Sequence, residues 1–123
     1  MGDMTIRAIR GATTLAQDER DHLHERTHEL VDAMLAQNGL TQEDIISVIF
    51  TCTPDIVSDF PAAAARTLGF GAVPLMCAQE MAVPGALPLV VRVMMHANLD
   101  TPRDDVLHVY LHDAVSLRRD LAQ

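Results

Sequence analysis

Apolar and polar residues alternate along most of this chain with a period of two, and a single long stretch changes to a helical period. In residues 5–12, Ile6, Ala8, Arg10 and Ala12 fall on one side and Thr5, Arg7, Ile9 and Gly11 on the other, which predicts a strand. Each face then carries one arginine. Arg7 reads as an ordinary polar strand position, whereas Gly11 directly after Arg10 predicts the close approach of another backbone or a ligand. Across residues 18–38, Leu23, Thr27, Leu30, Val31, Met34 and Leu35 form one stripe, with Asn38-Gly39 as a stop, so an amphipathic helix laid on a sheet is expected. Thr41 opens a capped turn, and residues 45–52 make a second strand, hydrophobic enough to be covered on both faces.

Thr53-Pro54-Asp55 and Asp59-Phe60-Pro61 bracket a loop, and residues 61–68 form a short helix with proline in its first position. Phe60, just before that helix, suits either the cover of a pocket or a staple onto its own helix. Residues 73–80, 90–97 and 106–111 supply three more strands, the last carrying Tyr110 on the face shared by His108 and His112. With no repeat, linker or low-complexity segment, residues 1–123 read as one α/β domain.

Composition narrows the chemistry. The net charge of -8 and an aromatic content of 3% argue against a nucleic-acid surface, which needs a basic face and stacking rings. All nine basic residues are arginines. Schiff-base lysine chemistry is therefore excluded, and guanidinium forks suited to carboxylates remain. Cys52 and Cys77 have neither disulfide-framework nor metal-site spacing and read as reduced thiols. No apolar stretch is long enough to span a membrane and the N-terminus has no signal-peptide pattern, so a cytoplasmic protein is expected.

The stretch 75–95 is the oddest in the chain. Arg92 interrupts Val90, Val91, Val93, Met94 and Met95, a run that reads as a strand buried on both faces. A charge there is costly unless an anion pairs with it, and Glu80 is the nearest acid in sequence. His24-Glu25-Arg26-Thr27-His28 matches the H-E-x-x-H pattern of zinc peptidases. Both histidines flank the apolar stripe and no third ligand follows at a telling spacing, so no metal site is expected. No acid–base dyad, nucleophile triad or phosphate loop is readable, and Cys77 has no neighbouring histidine to activate it. What remains is a donor-rich set, Arg10, Arg92, Glu80, Cys77 and Tyr110 on strands with Phe60 and Arg66 beside them. Such a set binds a small polycarboxylate and stabilises charge growing on an oxygen.

Several motifs in matching order resemble the monofunctional AroH-type chorismate mutases. They are residues 7–14 (Arg-Ala-Ile-Arg-Gly-Ala-Thr-Thr), Thr53-Pro-Asp through Asp59-Phe-Pro to Arg66, Val73-Pro through Gln79-Glu80-Met81, Arg92-Val-Met-Met95, and His108-Val-Tyr110 with Leu117-Arg118. The resemblance spans about residues 5–121. It implies a mixed five-stranded sheet with a long and a short helix, assembled as a homotrimer with a barrel-like core and active sites between subunits. The implied reaction is the Claisen rearrangement of chorismate to prephenate in aromatic amino-acid biosynthesis, with no cofactor or metal. By position, Arg92 resembles the donor to the ether oxygen, Arg10 and Tyr110 the pair that holds the side-chain carboxylate, and Glu80 with the Cys77 region the groups that meet the ring hydroxyl. Met76, Ala78 and Gln79 belong to that region. Phe60 and Arg66 fall at the site mouth, and Leu117 and Arg118 in a tail that closes over the ligand. On this reading Glu80 is a hydroxyl acceptor rather than the counter-charge of Arg92.

Two positions depart from the family pattern: Ala63 stands where a lysine is common, and Met76 where a threonine is common. Loss of that cation predicts a KM more sensitive to salt than kcat. The alternative is a trimeric module that binds a pathway metabolite without transforming it.

Overall fold

A computed structural model describes residues 5–118. Its frame is a mixed five-stranded sheet of β1 (Ile6–Thr14), β2 (Ile45–Cys52), β3 (Leu75–Gln79), β4 (Val90–Asn98) and β5 (Val109–Tyr110) in the order β3-β2-β4-β1-β5. β4 runs antiparallel to both β1 and β2, while β3 and β5 are parallel to their neighbours β2 and β1. Both partners of β4 therefore run the same way. The helix α1 (Arg20–Gln37) crosses between them, leaving room for β4 to be inserted later in the chain.

α1 forms where the apolar period predicts it and buries Leu23, Thr27, Leu30, Val31 and Met34. Its foundation is the sheet face of Ile9, Val48, Phe50, Val93 and Met95, all buried. Gly11 lets the two layers meet. A Cβ there would come within 2.4 Å of Met34 Sδ, so the close approach predicted at this glycine is made by the helix and not by a ligand. The second helix, α2 (Pro61–Thr67), starts at its proline and buries Ala62, Ala64 and Ala65. It is tied to α1 through histidines: His24 Nε2 lies 2.8 Å from Asp59 Oδ2, and His28 Nε2 lies 2.7 Å from Thr67 Oγ1. The H-E-x-x-H residues thus hold two helices together.

Both helices cover one face of the sheet and leave the other open. This corrects the expectation that β2 and β4 are buried on both faces. In β4, Val91, Val93, Met95 and Ala97 are buried, but the Arg92 side chain is 48% exposed; in β2, Ile46 and Ile49 reach the surface. The last strand is also shorter than residues 106–111. Its pairing to β1 covers Val109 and Tyr110 alone, because a one-turn helix at Arg103–Asp105 and a helix of two turns at His112–Arg118 take up the flanks. Among the described residues no helix is long and apolar enough to cross a membrane.

Candidate active site

The open face is built by strand register. Ala12 on β1 and Thr51 on β2 both lie opposite Arg92 on β4, and Arg10 and Ile49 lie opposite Met94. Tyr110 pairs with Ala12 from the far side. These residues line a cavity of about 270 Å³. That is just below the ~300–1,000 Å³ usual for ligand pockets.

Glu80 is not part of that lining but backs it: Arg92 Nε lies 3.2 Å from Glu80 Oε2, and Thr51 Oγ1 donates to the same oxygen at 2.6 Å. The backbone N–H of Glu80 donates to Cys52 O at 2.8 Å, which extends the β2–β3 pairing by one residue and sets the carboxylate. Glu80 is therefore the counter-charge of Arg92 in this structure, contrary to the expectation that the two are separate. The physical reason is proximity: adjacent strands bring a carboxylate to a guanidinium, and an unpaired pair of charges would cost more. The pair occupies Nε and holds the plane of the guanidinium, while its exposure leaves Arg92 open to the cavity. Thr51 is the one participant that sequence reasoning missed; its register opposite Arg92 is visible only once the strands are paired.

Tyr110 keeps its proton. Burial raises its phenol above the usual range, and the nearby Arg10 and Arg92 pull it partly back. The hydroxyl is thus a neutral donor facing two cations.

The remaining expected site residues are not in this cavity. Phe60, Cys77, Ala78 and Gln79 line a second one, of about 370 Å³, with Cys52 and Asp59. Phe60 is 67% exposed, so it covers that pocket and does not staple its helix. Cys77 Sγ accepts the N–H of Ala62 at 3.4 Å, and burial above all raises its thiol, so it stays protonated and un-nucleophilic. The thiol of Cys52 is pushed up to about 12 by burial. Met76 is exposed on β3, Arg66 is exposed in the last turn of α2, and Leu117 is half-buried; none of them lines either cavity. The Arg118 side chain and residues 119–121 lie outside the described residues.

The two cavities use alternate residues of β2, Thr51 for the first and Cys52 for the second. Consecutive strand side chains point to opposite faces, so one chain holds the two groups apart.

Fold and site together define an α/β protein with an arginine-lined, anion-accepting cavity on an uncovered sheet face. The chain matches the model of the chorismate mutase type I family over residues 6–121, and it belongs to that family. It is 50% identical over 117 residues to chorismate mutase AroH of Thermus thermophilus, covering 94% of this chain and 96% of the relative. It is 42% identical over 120 residues to chorismate mutase AroH of Bacillus subtilis, covering 97% and 94%. Among solved structures, a chorismate mutase from Clostridium thermocellum superposes with a TM-score of 0.87 at 47% identity, covering 89% of this chain and 97% of that one.

Proposed function

We propose that this chain is an isomerase that converts chorismate to prephenate by an intramolecular Claisen rearrangement. One carbon–oxygen ether bond breaks as one carbon–carbon bond forms, and no proton or electron leaves the substrate. Such a reaction asks the protein for a compact conformer and for stabilisation of charge on the ether oxygen. Arg92 supplies that donor, with Glu80 and Thr51 fixing its orientation; Arg10 and Tyr110 hold a carboxylate. Arginine suits a dianion because its planar fork accepts two oxygens at once. The observation that carries this function is the exposed, Glu80-oriented Arg92 at the centre of an open sheet face, in a chain of the chorismate mutase type I family.

The complete site forms between chains. Support comes from the separation of the two cavities within one chain and from the exposed apolar residues Ile49 and Met76 on the open face. A homotrimer brings the Phe60–Gln79 cavity of one chain against the Arg92 cavity of the next. In that assembly Arg66, exposed on the last turn of α2, adds a supporting charge, and Leu117 closes the entrance. Two free cysteines suit a reducing cytoplasm.

The test is a loss of chorismate absorbance on addition of purified protein, with prephenate as the product. Turnover without added metal or cofactor is expected. Saturable binding of chorismate without turnover would make the chain a binding module instead.

A further inference from the structure

Arg10 borders a second cleft besides the active-site cavity. It is larger, about 430 Å³, and lies beside that cavity across β1, β4 and the segment that leads into β5, where Arg7, Arg10, Arg103, His96 and His108 line it. Three of the chain's nine arginines thus share one cleft in a protein of net charge -8. Among the described residues Arg20 and Arg92 have carboxylate partners, whereas Arg7, Arg10 and Arg103 have none. Asp104 and Asp105 follow Arg103 in sequence, yet neither lines the cleft.

The donors are oriented as well as concentrated. Arg7 Nε donates to Thr101 O at 2.7 Å, which fixes its guanidinium against the turn that carries Arg103. The backbone N–H of Arg10 donates to His108 Nδ1 at 3.0 Å, so the neutral imidazole carries its proton on Nε2 and offers a donor. Like charges gathered without a counter-ion repel, and a bound anion relieves that repulsion.

We propose that this cleft binds a small multivalent oxyanion, a phosphate or a dicarboxylate, and that its occupant competes with the active-site cavity for the Arg10 guanidinium. The binding claim stands on the cleft itself; the regulatory consequence rests on the chorismate mutase reading. An occupant that draws Arg10 away weakens substrate capture and leaves Arg92 untouched. It therefore raises KM for chorismate without changing kcat.

The experiment titrates the full-length protein with inorganic phosphate and, separately, with succinate, holding ionic strength constant with chloride. Calorimetry reads binding and chorismate loss reads kinetics. Arg103→Gln alters an exposed turn residue outside the catalytic machinery, and in chloride alone its kcat and KM should equal those of the parent. Its affinity for the anion should fall about tenfold or more, as for loss of a charged hydrogen bond. Arg92→Ala should retain the anion affinity of the parent. The tighter of the two probes identifies the ligand class. Absence of binding by both probes, or binding that survives Arg103→Gln and disappears in Arg92→Ala, overturns the proposal; the second result places the anion in the active-site cavity. Anion binding that depends on Arg103, in a protein that does not transform chorismate, would refute the catalytic reading and leave the cleft standing. A phosphate effect on kcat rather than KM would refute the competition for Arg10.

Discussion

The two faces of the sheet are made from alternate residues of the same strands, and they solve opposite problems. On the helix side, Ile9, Val93 and Met95 are buried beneath α1, and Gly11 is tight enough that a single methyl would collide with Met34. On the other side, Arg10, Arg92 and Met94 meet a cavity that no helix of the described residues covers. A close-packed layer fixes the backbone, so the guanidinium one residue away keeps its place without a partner chain or ligand to hold it. Preorganised donors of this kind cost little reorganisation when charge develops.

Changes on the open face should alter rate and spare the fold. The largest effect is expected from Arg92→Lys: a point charge replaces the fork, and kcat should fall by about 10²–10³ with the melting temperature nearly unchanged. A higher KM at unchanged kcat would show instead that Arg92 binds ground state and transition state alike. Glu80→Gln keeps a hydrogen-bond acceptor for Arg92 Nε but removes the charge. A kcat lower by about tenfold is expected, since charged hydrogen bonds are worth ~1.5–3 kcal/mol. A kcat equal to that of the parent would make the Glu80 pairing incidental.

Changes on the packed face should do the reverse. Gly11→Ala should cost about 1–3 kcal/mol in denaturant unfolding through overpacking. Met34→Ala carries its own cavity cost, but the double variant should lose less than the sum of the two single changes, and additive costs would show that the two residues do not meet. The smallest effect expected is on pH dependence. Burial first, then Arg10, holds the His108 imidazole below its ordinary 6.5. The unfolded chain takes up that proton first as pH falls, so this contribution is fully present above about 6.5 and is lost as pH drops through the lowered value. Melting curves of His108→Asn should lack that slope.

The elements of the fold were largely legible in the sequence, because the Leu23–Met34 stripe and the alternation around Ile9 report burial directly. The apolar runs of β2 and β4 suggest burial on both faces, because composition alone does not tell whether a strand's second face is covered by a helix or left open. Residues 106–111 read as a longer strand than the Val109–Tyr110 that forms, because strand propensity does not reveal where a partner strand ends. Within the site, Arg92, Arg10 and Tyr110 were found by their charge or chemistry in apolar strands and do share a cavity. Thr51 carries no such mark. The Glu80–Arg92 contact is set by strand order, with β2 between β3 and β4, and no sequence spacing encodes it.

The most direct test of a site assembled from two chains is complementation between variants that damage opposite halves. Arg92→Ala disables the first cavity, and Phe60→Asp places a carboxylate at the mouth of the second, where it repels a dianion. Each alone should be nearly inactive at low chorismate concentration. Unfolded together in equal amounts and refolded, they should recover roughly a quarter of the parent activity, because random mixed trimers each regain one intact site of three. A mixture no more active than the two variants measured separately would place the whole site within one chain.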